Sequence, residues 1–355
     1  MSKFLYPAAA VFALGLAALT WTMAQAEEEA AAPPIELQSI GALEVTPEGV
    51  LFLADSVGAA VYALELDLPA RAKKESSADE APMENIENLD DKIAALLGTH
   101  AREVVVQDMV VHEPSGTIFL SIHRGRGTDA KPVLLSIDPA GKIAEVSLSG
   151  IPHSRLDLAD APKFDAEARR NPRLLTVTDL EMVDGELLIA GLSNEEFAST
   201  LRRAPYPFSG SAKSTGLEIY HGAHGKYETH APIFTFIPLN VDGKNHLLAG
   251  YLCTPLVTFP LDEVRTKDRL RGKTIAELGW GNVPTDMVPF QQDGEDWILI
   301  ANSRRGAMKV KTADVLAAQK QPGITHEVNP RTGVVDYSVP TGHIAQADRL
   351  DDHHL

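Results

Sequence analysis

The chain has 355 residues, 44% of them hydrophobic and 23% charged, with a formal net charge of −17. That apolar fraction is enough for a packed core and excludes whole-chain disorder. The acidic balance argues against nucleic acid and anionic membrane surfaces as partners, where Lys and Arg would be in excess.

The N-terminus reads as a secretion signal. Lys3 precedes an apolar run from Phe4 to about Leu19, and Ala24-Gln25-Ala26 supplies the small-x-small pattern of a cleavage site. Residues 1–26 are expected to be a signal peptide, 27–37 a mobile N-terminal segment, and 38–355 a single domain that is periplasmic or secreted. No other stretch approaches spanning length, so no membrane association is expected after cleavage. Cys253 is the only cysteine, which rules out an internal disulfide. By itself it reads as a small buried hydrophobe rather than a metal ligand or reactive thiol.

From Ile40 onward one grammar recurs, in which short apolar runs are joined by tight turns. The Pro47-Glu48-Gly49 turn is followed by Val50-Leu51-Phe52-Leu53-Ala54-Asp55 and Val61-Tyr62-Ala63-Leu64, strands by residue type and by their turn punctuation. Residues 71–84 are charged and Ser/Ala-rich, as expected of a mobile loop. Asn88 to Gly98 reads as a short helix with Asn88 as N-cap and Gly98 as the stop. The strand pattern returns at Gln107–Val111, at Thr178–Met182 around Asp184-Gly185, at Ile233–Gly250 around Asp242-Gly243, and at Thr285–Asn302 around Asp293-Gly294. Residues 152–170 read as a polar connection and 314–319 as another helical turn. His343 to Leu355 begins like a sixth unit and stops early.

Small repeated sheets bury their faces only against their neighbours. The expected fold is therefore all-β: a β-propeller of five to six four-stranded blades with short helical insertions, its last blade incomplete. Strand pairs such as Met182-Val183-Asp184-Gly185-Glu186-Leu187-Leu188-Ile189-Ala190 resemble the six-bladed propellers of the NHL-repeat and gluconolactonase-like type. The resemblance covers most of residues 38–350 at superfamily level. For the gluconolactonase and paraoxonase group it implies a ring of metal-binding oxygens used to hydrolyse lactones and esters.

Aligning the copies puts Asp108, Asp179 and Asp286 at one position of the inner strands. Ala42 and Thr235 hold that position in two others, and Asp348 is the counterpart in the last unit. Carboxylates around one channel mouth repel each other unless a cation or donor lies between them. Asp108, Asp179 and Asp286 are accordingly candidate ligands for Ca²⁺ or another divalent cation; the competing reading is that each caps its own turn. Second-strand ends add Asn194, Glu195, Asn302 and Arg304 to the expected ligand-binding set. His221 and His224, with Glu228 or His230, could hold Zn²⁺ or Cu²⁺, or form a solvated hairpin with His224 at its tip. Residues 191–208 read either as a lid or partner surface, or as an insertion whose aromatics pack on the blades. No complete G-x-S-x-G, P-loop or dinucleotide fingerprint occurs. The expected function is an exported propeller that binds a small molecule or partner protein on its channel face. The alternative is a divalent-metal-dependent hydrolase of the lactonase or esterase kind.

Overall fold

The computed structural model describes residues 34–70, 83–253, 255–279, 281–339 and 343–355. The expected signal peptide and residues 71–82 of the expected loop lie outside them, as do residues 27–33 of the N-terminal segment. Among the described residues no helix is long and apolar enough to cross a membrane.

The described residues form five antiparallel blades in a propeller arrangement. Blade 1 begins with β1 (Leu43–Val45), β2 (Val50–Asp55) and β3 (Ala60–Glu65). Blade 2 follows helix α1 (Leu89–Leu97) and contains β4 (Val104–His112), β5 (Thr117–Arg124), β6 (Lys131–Ile137) and β7 (Ile143–Glu145). The chain then returns to blade 1, where β8 (His153–Asp157) pairs with β3. Residues 153–157 are thus a fourth strand and not a connection. Leu156 alone is fully buried within β8, so an outermost strand needs only one apolar residue, and its sequence looks like a loop.

Blade 3 comprises β9 (Asp179–Val183), β10 (Glu186–Leu192), β11 (Ser199–Pro205) and β12 (Lys213–His221), widened by β13 (Lys226–Glu228). Blade 4 comprises β14 (Ile233–Val241), β15 (Lys244–Tyr251) and β16 (Pro255–Pro260). Helix α2 (Leu261–Thr266) leads to β17 (Arg269–Arg271), which pairs in parallel with β12, and β18 (Lys273–Leu278) completes the sheet. Blade 5 comprises β19 (Pro284–Gln292), β20 (Glu295–Asn302) and β21 (Met308–Lys311), then α3 (Thr312–Lys320). Strand β22 (Arg331–Thr332) adds to β18, and β23 (Asp336–Ser338) adds to β21.

Local chemistry explains the punctuation. Asp184-Gly185, Asp242-Gly243 and Asp293-Gly294 each close a two-residue hairpin with both residues at positive φ, the geometry that matches strand twist and favours Asp-Gly. Gly98 ends α1 in the left-handed region. Asn88 stands at the N-cap position but at φ 52°, where its side chain makes no capping bond.

Packing fixes the ring. Leu51 and Leu53 of blade 1 meet Val110 and Phe119 of blade 2, while Phe52 and Ala54, on the opposite face, meet Leu187 and Ile189 of blade 3. Blade 3 meets blade 4 through Leu188 and Leu247, and blade 4 meets blade 5 through Leu248 and Ile298. Burying a side chain of this kind contributes about 1.5–3 kcal/mol. The order around the axis is therefore 2-1-3-4-5, not the order of the chain. The free face of blade 2 is covered by Ile93 and Leu97 of α1, and that of blade 5 by Val339, Ile344 and Ala347. Residues 343–355 form no strand; they fill the sector where a sixth blade would begin.

Candidate functional site

The inner strands surround a channel of about 250 Å³ lined by Glu44, Asp108, Asp179, Glu181, Asp286 and Asp348. The aspartates are spent on backbone. Asp108 Oδ1 accepts from its neighbour Met109 N at 2.8 Å, and Oδ2 from Leu43 N of blade 1 at 2.7 Å. Asp179 likewise accepts from Leu180 N at 2.9 Å and from Phe236 N of blade 4 at 2.7 Å. Asp286 accepts from Met287 N and Ala347 N, and Asp348 from Arg349 N and Val111 N. Each carboxylate thus steadies its own segment with one oxygen and staples the next with the other. In blade 1 Glu44 takes this role, accepting from Met182 N of blade 3 at 3.2 Å.

Burial dominates the electrostatics. Desolvation raises Glu44 to about 8, Asp108 to about 7 and Asp348 to about 6. It also pushes Asp179, Glu181 and Asp286 well above the usual carboxylate range, with repulsion from neighbouring acids adding to it. Taking a charge out of water favours the neutral form, and a second negative charge nearby favours it further. Near neutral pH the channel therefore holds protons.

A larger cavity, about 700 Å³, opens where the inner strands begin. It lies next to the channel along the chain: Ala42, Gln107, Thr178, Thr285 and Gln346 line the cavity, and the residue after each lines the channel. Ladder register shifts leave Gln107, Phe234 and Thr285 unpaired in β4, β14 and β19. A bulge of this kind re-aims the extra side chain, and all three residues line the cavity. Val106, Phe164 and Leu174 add exposed apolar surface. His123 accepts from Ile40 N at 3.3 Å through Nε2, and burial lowers its pKa, so the ring is neutral there. The described lining holds one charged group of fixed sign, Asp165, and no Lys or Arg.

The other expected residues lie elsewhere. Asn302 is fully buried and bonded to Asn282 and to Ile300 O. Arg304 and Asn194 are exposed and outside both cavities. Glu195 lines a separate pocket beside Asp160 and Arg269. Residues 191–208 are not a lid. They are mostly the β10–β11 hairpin, and Tyr206 and Phe208 pack on Phe52 of blade 1, with ring centroids 5.1 and 6.0 Å away. The histidine hairpin has the expected tip between β12 and β13. Glu44 and Glu181 were not foreseen in the channel, because within short strands they read as solvent-facing residues.

Asp108, Asp179 and Asp286 share the channel. The set of three or more metal-ligating side chains whose donor atoms converge within 4.8 Å is a different one among the described residues: His221, His224 and Cys253.

No protein family matches the chain, and no curated protein does. Among solved structures it is similar to a chain of the mitotic checkpoint complex, with 12% identity over 95% of this chain and 92% of that one, at a TM-score of 0.34. It is also similar to the extracellular domain of BT4673 from B. thetaiotaomicron, with 9% identity over 88% of this chain and 36% of that one, again at 0.34.

Proposed function

We propose that the chain is an exported binding protein that captures a small molecule in the 700 Å³ cavity at the start of its inner strands. The observation that carries this reading is the set of bulges at Gln107, Phe234 and Thr285, which break three ladders at the same level and turn three side chains into one space. Bulges cost ladder bonds and recur next to functional sites. A cavity of this volume, apolar in body with a few amides, hydroxyls and one neutral imidazole, suits a drug-sized ligand. Asp165, the one charge of fixed sign in the described lining, favours an uncharged or cationic ligand over a phosphate or carboxylate. The N-terminal signal pattern supports an extracytoplasmic location.

The test is a thermal-shift and calorimetric screen of neutral, cationic and anionic small molecules. A true ligand at 100 times its Kd stabilises the fold by about 2.7 kcal/mol. Leu174→Arg, at a position already half exposed, should leave the melting midpoint alone and weaken binding at least ~10-fold, since about 1.4 kcal/mol suffices for that. Binding unchanged in that variant, or no neutral or cationic binder at all, overturns the reading. EDTA-sensitive turnover of lactones or aryl esters, lost in Asp179→Asn, replaces it with the hydrolase.

A further inference from the structure

We infer that His221, His224 and Cys253 form a binding site for a zinc-class transition-metal ion where the outer strands of blade 3 meet the β15–β16 turn of blade 4. The site is independent of the channel and of the ligand cavity.

The chain brings these residues together from separate elements. His221 ends β12, His224 sits in the turn to β13, and Cys253 follows β15 of the next blade. One ring nitrogen of each histidine and the cysteine sulfur lie within 4.8 Å of one another. The rings lie side by side, tilted 36° to each other with centroids 3.8 Å apart. Glu228 grips both: Oε2 is 3.1 Å from His221 Nδ1, and Oε1 is 2.8 Å from His224 Nδ1. A carboxylate on one imidazole nitrogen fixes the tautomer and makes the other nitrogen the metal-facing one. One residue orients two ligands at once.

The facing side holds buried atoms without hydrogen-bond partners. His221 is 2% exposed, and its Nε2 has no hydrogen-bond partner. Glu277, on β18, is 1% exposed. Its Oε1 accepts from Gly222 N at 2.6 Å, but its Oε2 is buried with no hydrogen-bond partner and lies 3.9 Å from His221 Nε2. An orphaned buried polar atom costs about 1–3 kcal/mol, so two facing each other need a shared partner. Zinc takes nitrogen and oxygen ligands at about 2.0–2.2 Å and thiolate at about 2.3 Å in a tetrahedron, and an ion drawing these donors inward would be that partner. The sulfur is held in place as well: Gly281 N donates to Cys253 Sγ at 3.4 Å. Gly222 is required for the close approach, since a Cβ there would meet Val328 at 2.7 Å and Ile324 at 3.0 Å. Two imidazoles and one thiolate make a donor set for zinc, and a poor one for Ca²⁺ or Mg²⁺.

The experiment uses the purified, reduced, metal-stripped full chain, titrated with Co²⁺ and then Zn²⁺. The expected result is one equivalent of Co²⁺ bound, with a thiolate-to-cobalt charge-transfer band that Zn²⁺ abolishes by displacement. Cys253→Ser removes the band. His224→Ala, at an exposed position that does not endanger the fold, weakens binding at least ~10-fold, and Glu228→Gln does so by roughly 10–100-fold. Zn²⁺ slows alkylation of Cys253 in the parent. Absence of stoichiometric uptake overturns the proposal, as does uptake with the same spectrum in Cys253→Ser; in either case His221 and Glu277 are buried neighbours and nothing more. Tight binding of Cu²⁺ with Zn²⁺ inert overturns the zinc assignment.

Discussion

The channel and the histidine cluster both gather carboxylates away from water, and they use them in opposite ways. In the channel the aspartate oxygens already accept backbone N–H groups, and each carboxylate joins one segment of the ring to the next. At the cluster His221 Nε2 and Glu277 Oε2 are buried with no hydrogen-bond partner. Convergence of acidic residues is therefore weak evidence for a metal, because backbone donors can satisfy them completely. A buried ligand atom left without a hydrogen bond beside other converging donors is stronger evidence, because leaving such an atom unmet is costly.

The comparison predicts that damage in the channel appears as lost stability. Asp179→Ala orphans Leu180 N and Phe236 N and should cost about 3 kcal/mol in denaturant unfolding at pH 6. A loss should also follow from pH alone. The folded chain holds channel protons that the unfolded chain releases above about pH 4, so this contribution is complete at low pH and disappears as pH rises through about 6 for Asp348, 7 for Asp108 and 8 for Glu44. The melting midpoint should drop by several degrees between pH 5 and 8, and Glu44→Gln should flatten the upper part of that curve. If millimolar Ca²⁺ restores at pH 8 what deprotonation removed, the channel is a cation site and the contrast fails.

Effects at the cluster should be smaller. Gly222→Ala, which crowds Val328 and Ile324, should cost about 1 kcal/mol. Cys253→Ser should change metal-free stability by less than about 0.5 kcal/mol, read from the melting midpoint after chelation. A large loss there would make the cysteine a packing residue, as the sequence by itself suggested.

What was legible in the sequence followed from local chemistry. The Asp-Gly hairpins, the inner-strand aspartates and the helix before blade 2 each leave a mark within a few residues. Strand β8 left none, since an outermost strand with one buried leucine is as polar as a loop. The bulges at Gln107, Phe234 and Thr285 are single extra residues that appear only when the ladder partner is known. The order of blades around the axis was hidden because all the inner strands read alike. The pairing of Cys253 with His221 and His224 depends on two blades meeting, so no spacing along the chain encodes it.

The segment that fills the sixth sector also bears on timing. Gln346 donates to Gln107 O at 3.1 Å, and Asp348 accepts from Val111 N at 2.6 Å, across 237 residues of chain. Blade 1, too, awaits its outer strand until blade 2 has passed. Contacts so distant in sequence carry a large loop-closure cost and form late. The five sheets can assemble as an open arc, and residues 343–355 turn that arc into a closed circle. Pulse-labelling hydrogen exchange should find the amides of Val111 and Ala347 protected after those of β15 and β20.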